Sequence, residues 1–283
     1  MKNETNRTPV LIPVDKLRPF EGHPYKVIDN DEMNSLIESI QEQGIMSPLI
    51  VRPIENTDEY EVISGHRRLH AAEKAGIREI PALIYALDRD TAAIAVVDSN
   101  LHREHILPSE KAFAYKLKYE ALRHQGASCQ VGTKLRSDEL MAETADESAR
   151  QIQRYIRLTK LLPEILEYVD NGRMSLTPAA ELSYLTVPEQ HNLLEDMRSE
   201  DCTPSLSQAC RLKKLSQDGL LTPEELAEIL CEEKANQKEK LRIPMERIRG
   251  FFPKDYTTAQ IEDSIIKFCE TQYRKKQRDR DAR

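Results

Sequence analysis

The chain has 283 residues, a formal net charge of −7, 39% hydrophobic, 31% charged and 5% aromatic residues, and no tryptophan. That length allows about two domains with small cores, and the acidic balance excludes a protein that coats nucleic acid by overall charge while leaving room for a local basic face. There is no apolar run of the roughly 18 residues that suggest a membrane span, Met1 to Pro9 is too polar for a secretory signal, and five scattered cysteines without a Cys-x-x-Cys pair predict a reduced, cytoplasmic protein rather than a disulfide framework or a zinc site.

The first hundred residues alternate strands and helices. Asn30 or Asp29 caps a helix whose apolar positions are Met33, Leu36, Ile37 and Ile40, and Gly44 stops it. Leu49 to Arg52 and Tyr60 to Ser64 read as strands, Arg67 to Ala75 as a helix ended by Gly76, Ile80 to Tyr85 as a strand and Asp90 to Val97 as a helix. This α/β domain is expected to end near Leu107-Pro108, giving domains at 1–107, 108–215 and 216–283.

After Pro108 the pattern is all-helical. Ser109 to His124 is a helix, 125–136 reads as loop, Ser137 caps a short helix from Asp138 to Glu143, and Ser148 caps a second helix to about Leu162. Two short helices about a turn at Thr144-Ala145-Asp146 form a helix-turn-helix. On the second, Arg150, Gln153, Arg154 and Arg157 fall at i, i+3, i+4 and i+7 and share one face without an acid, while Ile152, Tyr155, Ile156 and Thr159 lie on another. Arginine and glutamine at such spacing read guanine and adenine edges or clamp phosphates. Ser148 and Gln151 in the first turn, and Arg173 before the next helix at Thr177-Pro178, extend this candidate DNA surface. Ser216 to Thr222 reads as a linker and Glu224 to Gln237 as a charged helix. Ile243–Phe252 and Thr258–Tyr273 form a last helical unit before the basic tail from Arg274 to Arg283. The tail either binds DNA nonspecifically or is a solvated terminus.

The most informative stretch is Val62-Ile63-Ser64-Gly65-His66-Arg67-Arg68, an apolar strand running into a glycine and two arginines at a helix start. Glycine lets backbone approach an anion, and free helix N–H groups beside guanidinium groups make a phosphate site. Some thirty residues on, Asn100-Leu101-His102-Arg103 adds an amide and another arginine. Gly132-Thr133-Lys134 is not a P-loop, because lysine follows the hydroxyl and no strand precedes it. His66, His70 and His102 lack diagnostic metal spacing, so no metal ligands are assigned.

At these two motifs the chain resembles the ParB partition-protein family, whose Gly-Glu-Arg-Arg and Asn-x-x-Arg motifs stand here as Gly65-His66-Arg67-Arg68 and Asn100-Leu101-His102-Arg103. Leu11 to Leu17 looks like the family's opening strand, and the resemblance runs over roughly residues 10 to 190. It implies an α+β protein: a ParB/sulfiredoxin-like α/β domain, an all-α helix-turn-helix domain and a C-terminal helical element. It further implies a homodimeric clamp that loads on a specific palindromic site in double-stranded DNA, CTP and Mg²⁺ as ligands, a ParA-type ATPase partner, and a place in the cytoplasm on the nucleoid. The nucleotide ligands would be Ser64, Gly65, His66, Arg67, Arg68, Asn100 and Arg103.

The chain departs from the family at three positions. His66 and Ser99 replace glutamates, the second of them associated with the metal, and Tyr25 replaces a frequent arginine. Mg²⁺ prefers hard oxygen ligands, so these departures put the metal ligands in doubt and reduce hydrolysis of CTP to a slow reset at most; no catalytic residue is assigned. Sulfiredoxin needs a cysteine where Gly65 stands, and a free-serine kinase needs no helix-turn-helix, which excludes both enzyme readings. The alternative is a helix-turn-helix transcription regulator with a degenerate nucleotide pocket, which nucleotide titration separates from the first reading.

Overall fold

The computed structural model describes residues 8–101, 106–128, 141–142, 147–232, 248–253 and 256–281. The chain divides into two compact units, Met1–Glu232 and Glu233–Arg283.

Five strands form one sheet in the order β1-β5-β3-β4-β2, with β1 at Val10–Pro13, β2 at Leu17–Pro19, β3 at Leu49–Pro53, β4 at Tyr60–Ser64 and β5 at Glu79–Ile84. β3 pairs antiparallel with β4 and parallel with β5, β1 is antiparallel to β5, and β2 is parallel to β4. The opening strand expected over Leu11 to Leu17 is therefore two strands on opposite edges of the sheet, separated by a 3-10 turn at Val14–Lys16. A flat sheet of five strands measures about 19 Å between its edge strands, whereas three residues of 3-10 helix advance only about 6 Å. The sheet must curl until its edges meet at this turn. Val14 N–H donates to Arg78 O at 3.0 Å and extends the β1–β5 pairing into the turn.

Alternation along β4 serves both faces of the sheet. Val62 joins Ile12, Leu17, Leu49, Val51, Ile80 and Leu69 in one cluster, and Ile63 joins Phe20, Ala92, Ala93, Val96 and Ala121 in another. Helix α1 (Asp31–Gln43) begins where Asn30 Oδ1 accepts from Met33 N–H at 3.0 Å and ends at Gly44, with φ +71°. Helix α2 (His66–Lys74) packs on α1 through Ala71. Asp88 caps α3 (Arg89–Asp98), one residue ahead of the expected start.

Helix α4 (Pro108–Ser128) outruns its expected end at His124 and links the α/β part to the helices that follow. Its Ala121 packs with the sheet, Tyr115 with Met141 and Ile152, and Ala112 with the helical core. Asp170 accepts from Ser109 N–H at 2.9 Å and Oγ–H at 2.6 Å, tying the first turn of α4 to that core. Among the described residues of the first unit there follow helices α5 (Ala149–Leu158), α6 (Pro163–Asp170), α7 (Leu176–Leu182), α8 (Val187–Ser199), α9 (Leu206–Gln217) and α10 (Pro223–Cys231).

Three expectations differ here. The helix capped by Ser148 stops at Leu158 rather than Leu162, because the chain turns into Pro163 at the start of α6. Ser175 rather than Thr177 is the N-cap of α7, which leaves Pro178 inside the first turn, where a missing N–H costs nothing. Residues 216–222 are the last two residues of α9 and the turn to α10, not a linker, and Leu226, Ile229 and Leu230 of α10 lie in the same core as Leu158 and Leu193. The continuation expected to Gln237, and the first helix of the helix-turn-helix apart from helical Met141 and Ala142, lie outside the described residues.

The second unit contains a 3-10 turn at Arg249–Phe251 and helix α11 (Thr258–Asp281), with Ile261 buried. Arg249 Nη1–H donates to Tyr256 O at 2.8 Å.

The α/β part buries one ion pair within its sheet. Glu61 Oε2 accepts from Arg52 Nε–H at 2.6 Å and Glu61 Oε1 accepts from Glu21 N–H at 3.0 Å, with both side chains nearly covered. Removing one partner of such a pair strands the other charge. Glu61→Ala is expected to cost about 3–5 kcal/mol in chemical denaturation.

Candidate functional site

The end of β4 and the start of α2 are joined by a single residue, Gly65. It adopts φ +107° and ψ 23°, and a Cβ built on it would stand 2.9 Å from Leu49 Cγ and 3.2 Å from Arg68 Nη2. Both the left-handed backbone and the crowding require glycine. Ser64 closes β4, half-buried, directly before this turn. The first backbone N–H groups of α2 have no partners within the helix itself.

Arg68 folds back under the glycine. Its Nη1–H donates to Pro48 O at 3.0 Å and to Ser47 O, and burial pulls its pKa below the usual guanidinium value. Arginine remains charged even so. Among the described residues no carboxylate lies within ion-pair distance of it. Arg67 is more exposed and meets Glu32 Oε2 at 3.2 Å. Farther along α2, Lys74 and His70 bond to the two oxygens of Asp29 at 2.6 and 2.9 Å, with Lys74 chiefly holding that carboxyl below its ordinary range. These contacts staple α2 to the entry of α1.

His66, the first residue of α2, accepts from Phe20 N–H through Nε2 at 3.3 Å, and its ring lies against His23 with centroids 3.6 Å apart. The nitrogen that accepts cannot carry a proton.

The second motif follows α3. Asn100 is 6% exposed, and its Nδ2–H groups donate to Val96 O at 2.7 Å and Ser99 Oγ at 3.1 Å. Ser99 Oγ–H in turn donates to Val96 O at 3.1 Å. Tyr25 is buried beside Val97 and Leu101, while Lys26 N–H donates to Glu110 at 2.9 Å. Arg103 lies outside the described residues.

These groups do not fit Mg²⁺, whose ligands are free hard oxygens. The Ser99 hydroxyl is engaged with its own helix, and Asp98 is paired with the buried Lys118 at 2.6 Å. Among the described residues no group of three or more His, Cys, Asp or Glu side chains could hold a metal ion.

On the helical side, Ser148 caps α5 by accepting from Gln151 N–H at 3.3 Å. Ile152 and Leu158 of α5 are fully buried, Arg150 is exposed, and Gln151, Gln153 and Arg154 are partly exposed. Arg157 sits on the same face but is turned inward. Its Nε–H and Nη2–H donate to Ser183 Oγ and O at 3.1 and 2.8 Å, and its guanidinium lies 3.7 Å from the Tyr184 ring centroid. Arg173 pairs with Asp201 and lies over Tyr168. The start of α5 is held by Glu147, which meets Lys111 of α4 at 2.8 Å; burial, with the Glu147 charge adding to it, pushes the neighbouring Tyr115 hydroxyl well above its usual pKa.

Residues 1–101 match the family model of the ParB N-terminal domain, and within them Gly65 to Arg68 fall on the turn, and Asn100 just past the helix end, described above. Through this domain the chain belongs to the ParB family. It is 33% identical over 177 residues to the chromosome-partitioning protein Spo0J of Thermus thermophilus, covering 62% of this chain and 60% of the relative. It is 34% identical over 188 residues to the nucleoid occlusion protein of Listeria innocua, covering 66% of this chain and 61% of that protein. The match thus spans about three fifths of the length of these curated relatives. A solved structure of the C-terminally truncated ParB of Caulobacter crescentus with the centromeric parS site aligns over 72% of this chain and 98% of that one, at 21% identity and a TM-score of 0.42.

In this ParB-family chain the sequence motifs identify Gly65, Arg67, Arg68 and Asn100, and they miss their supports. The carbonyls of Ser47 and Pro48 that seat Arg68 carry no side-chain signal at all. His23 lies 43 positions before His66, and nothing at that spacing announces a ring contact. Ser183 is a small polar residue at a helix end, like many others.

Gly65→Ala tests whether the turn is fixed by sterics. It is expected to lower stability by about 1–3 kcal/mol, from the left-handed backbone and the contact with Leu49, read as a fall in melting temperature.

Proposed function

We propose that this chain is a partition-type, site-specific DNA-binding protein whose N-terminal domain binds a nucleoside triphosphate at the Gly65 turn. The observation that carries this reading is Arg68, a half-buried guanidinium beside a glycine-opened helix start, without a carboxylate partner among the described residues. A buried cation lacking its counter-charge is costly, and a phosphate group supplies that charge together with acceptors for N–H groups at the start of α2. CTP is the triphosphate that the family resemblance indicates. Ser64, Gly65, Arg67, Arg68, Asn100 and Arg103 would hold it. CTP with Mg²⁺ bound through its own phosphates needs no carboxylate from the chain, and no catalytic step is assigned to the metal. Hydrolysis, if present, is a slow reset.

The names of the curated relatives, chromosome partitioning and nucleoid occlusion, support a DNA-linked role. We assign DNA reading to Arg150, Gln151, Gln153 and Arg154 on α5, with Ser148 at its cap and Arg173 at the flank. In this reading a homodimer meets a palindromic site in double-stranded DNA, nucleotide favours its closed state by binding that state more tightly, and a ParA-type ATPase moves the complex. The work is cytoplasmic, on the nucleoid.

One observation favours the second reading, a helix-turn-helix regulator without a working nucleotide site: the Ser99 hydroxyl is engaged with Val96 O, and Asp98 is already paired with Lys118 through one oxygen. Calorimetric titration with each of the four nucleoside triphosphates, with and without cognate DNA, decides between them. CTP is expected to bind, and Arg68→Ala to weaken it by about 10- to 150-fold, the worth of a hydrogen bond to a charged group. Equal affinity in wild type and Arg68→Ala overturns the pocket.

For DNA, Arg154→Ala is expected to cost about 1–3 kcal/mol of binding and relax sequence preference, if it reads a base. Arg157→Ala is expected instead to lower thermal stability, since its bonds to Ser183 are internal. Footprinting and melting curves of both variants check the division.

A further inference from the structure

The segment between β2 and α1 carries Tyr25, the third departure from the family pattern, and it lies between the Gly65 turn and Asn100. Residues 20–26 run past both. Phe20 N–H donates to His66 Nε2 at 3.3 Å, Glu21 N–H to Glu61 at 3.0 Å, and Lys26 N–H to Glu110 at 2.9 Å, so the segment is pinned along its length. Within it, His23 lies against the His66 ring at 3.6 Å between centroids and edge-on to Tyr25 at 5.6 Å, and its Nδ1 stands 2.8 Å from Tyr25 O. A carbonyl only accepts, so this nitrogen carries the proton. Tyr25, 4% exposed, then packs on Val97, one turn before Asn100, and on Leu101, directly after it, with its hydroxyl 3.5 Å from Val97 O. The same carbonyl accepts from Asn100 N–H at 3.0 Å.

We propose that residues 20–26 are a strap that holds the two phosphate motifs in register, and that His23 and His66 are its positioning residues rather than phosphate ligands. This rests on the reading of the Gly65 turn as a nucleotide site. Two of the chain's three departures from the family pattern, His66 and Tyr25, are joined through His23 into one stack of rings. The imidazole of His66 accepts a backbone N–H through a neutral nitrogen. These contacts connect the start of α2 to the end of α3 by ring contact and packing. A displacement at either end moves the other, because each ring is buried or half-buried against the next.

The test uses His23→Ala, His66→Ala and the double variant in the full chain, with two readouts. Calorimetry gives CTP affinity; amide NMR of the nucleotide-free protein gives the shift of Asn100. Each single variant is expected to weaken CTP by about tenfold and the double variant hardly further, since contacting residues on one path are not additive. His66→Ala is expected to shift the Asn100 amide, although His66 and Asn100 belong to different motifs; packing confined to His66 would leave it in place. His23→Asn keeps a donor for Tyr25 O and loses the ring, so it is expected to fall between wild type and His23→Ala, and it serves where an alanine variant fails to fold.

An unmoved Asn100 amide together with unchanged or additive CTP losses overturns the strap, and Arg68→Ala then still reports on the site. If wild type itself binds no CTP, the nucleotide reading falls and takes the positioning role with it, while the amide shift alone decides whether the two motifs are mechanically joined.

Discussion

The α/β part of this chain depends on one short connection. Val14–Lys16 joins β1 to β2, and those strands stand at opposite edges of the sheet. Hydrogen-bond geometry fixes the spacing between strands and turn geometry fixes the reach of three residues, so the only freedom left is curvature. The curled sheet gives Val62 and Ile63, adjacent in sequence, two separate hydrophobic surfaces to fill. One is covered by Leu69 and Ala72 of α2, the other by the small residues of α3. The helices that carry the two motifs are thus set on different faces of one sheet, and β2 runs straight on into the segment that passes both.

Arg68 is a guanidinium held in place with no counter-charge among the described residues. The glycine turn leaves just enough space for its guanidinium, since a Cβ at residue 65 would stand 3.2 Å from it. Two backbone carbonyls orient it while neutralising none of its charge. A carboxylate partner would cancel that charge; carbonyls satisfy the hydrogen bonds and leave the field in place. Arg67 differs, because its partner Glu32 is on the surface, where an ion pair is worth little and is readily exchanged.

Local signals in the sequence were reliable wherever a single residue decides the backbone. Asn30 and Ser148 cap their helices, Gly44 and Gly76 take positive φ at helix ends, and the Gly65 turn stands where strand meets helix. The α+β class and the apolar face of α5 were also legible, because a period of two or of 3.6 is written in neighbouring residues. What failed depended on distant partners. The break in the opening strand follows from pairing with Glu79–Ala82 on one side and Tyr60–Val62 on the other. Residues 216–222 look like a linker until Leu226 and Ile229 are seen in the core. Arg157 satisfies the spacing of a recognition face, yet Ser183 and Tyr184 claim it, and the helical wheel carries no information about a neighbouring helix.

Helix α4 has a consequence for how this sequence can vary. Its alanines at 112, 114 and 121 face three different clusters, and all three are fully or almost fully buried. An added methylene at any of them has no slack to enter, and a shift of the helix to relieve one contact would crowd or empty the other two. Such a helix resists piecemeal change: an enlargement on one side requires matching reductions elsewhere at the same time. The exposed side of α5 can change one residue at a time, while the strut beneath it is held to small side chains by packing alone.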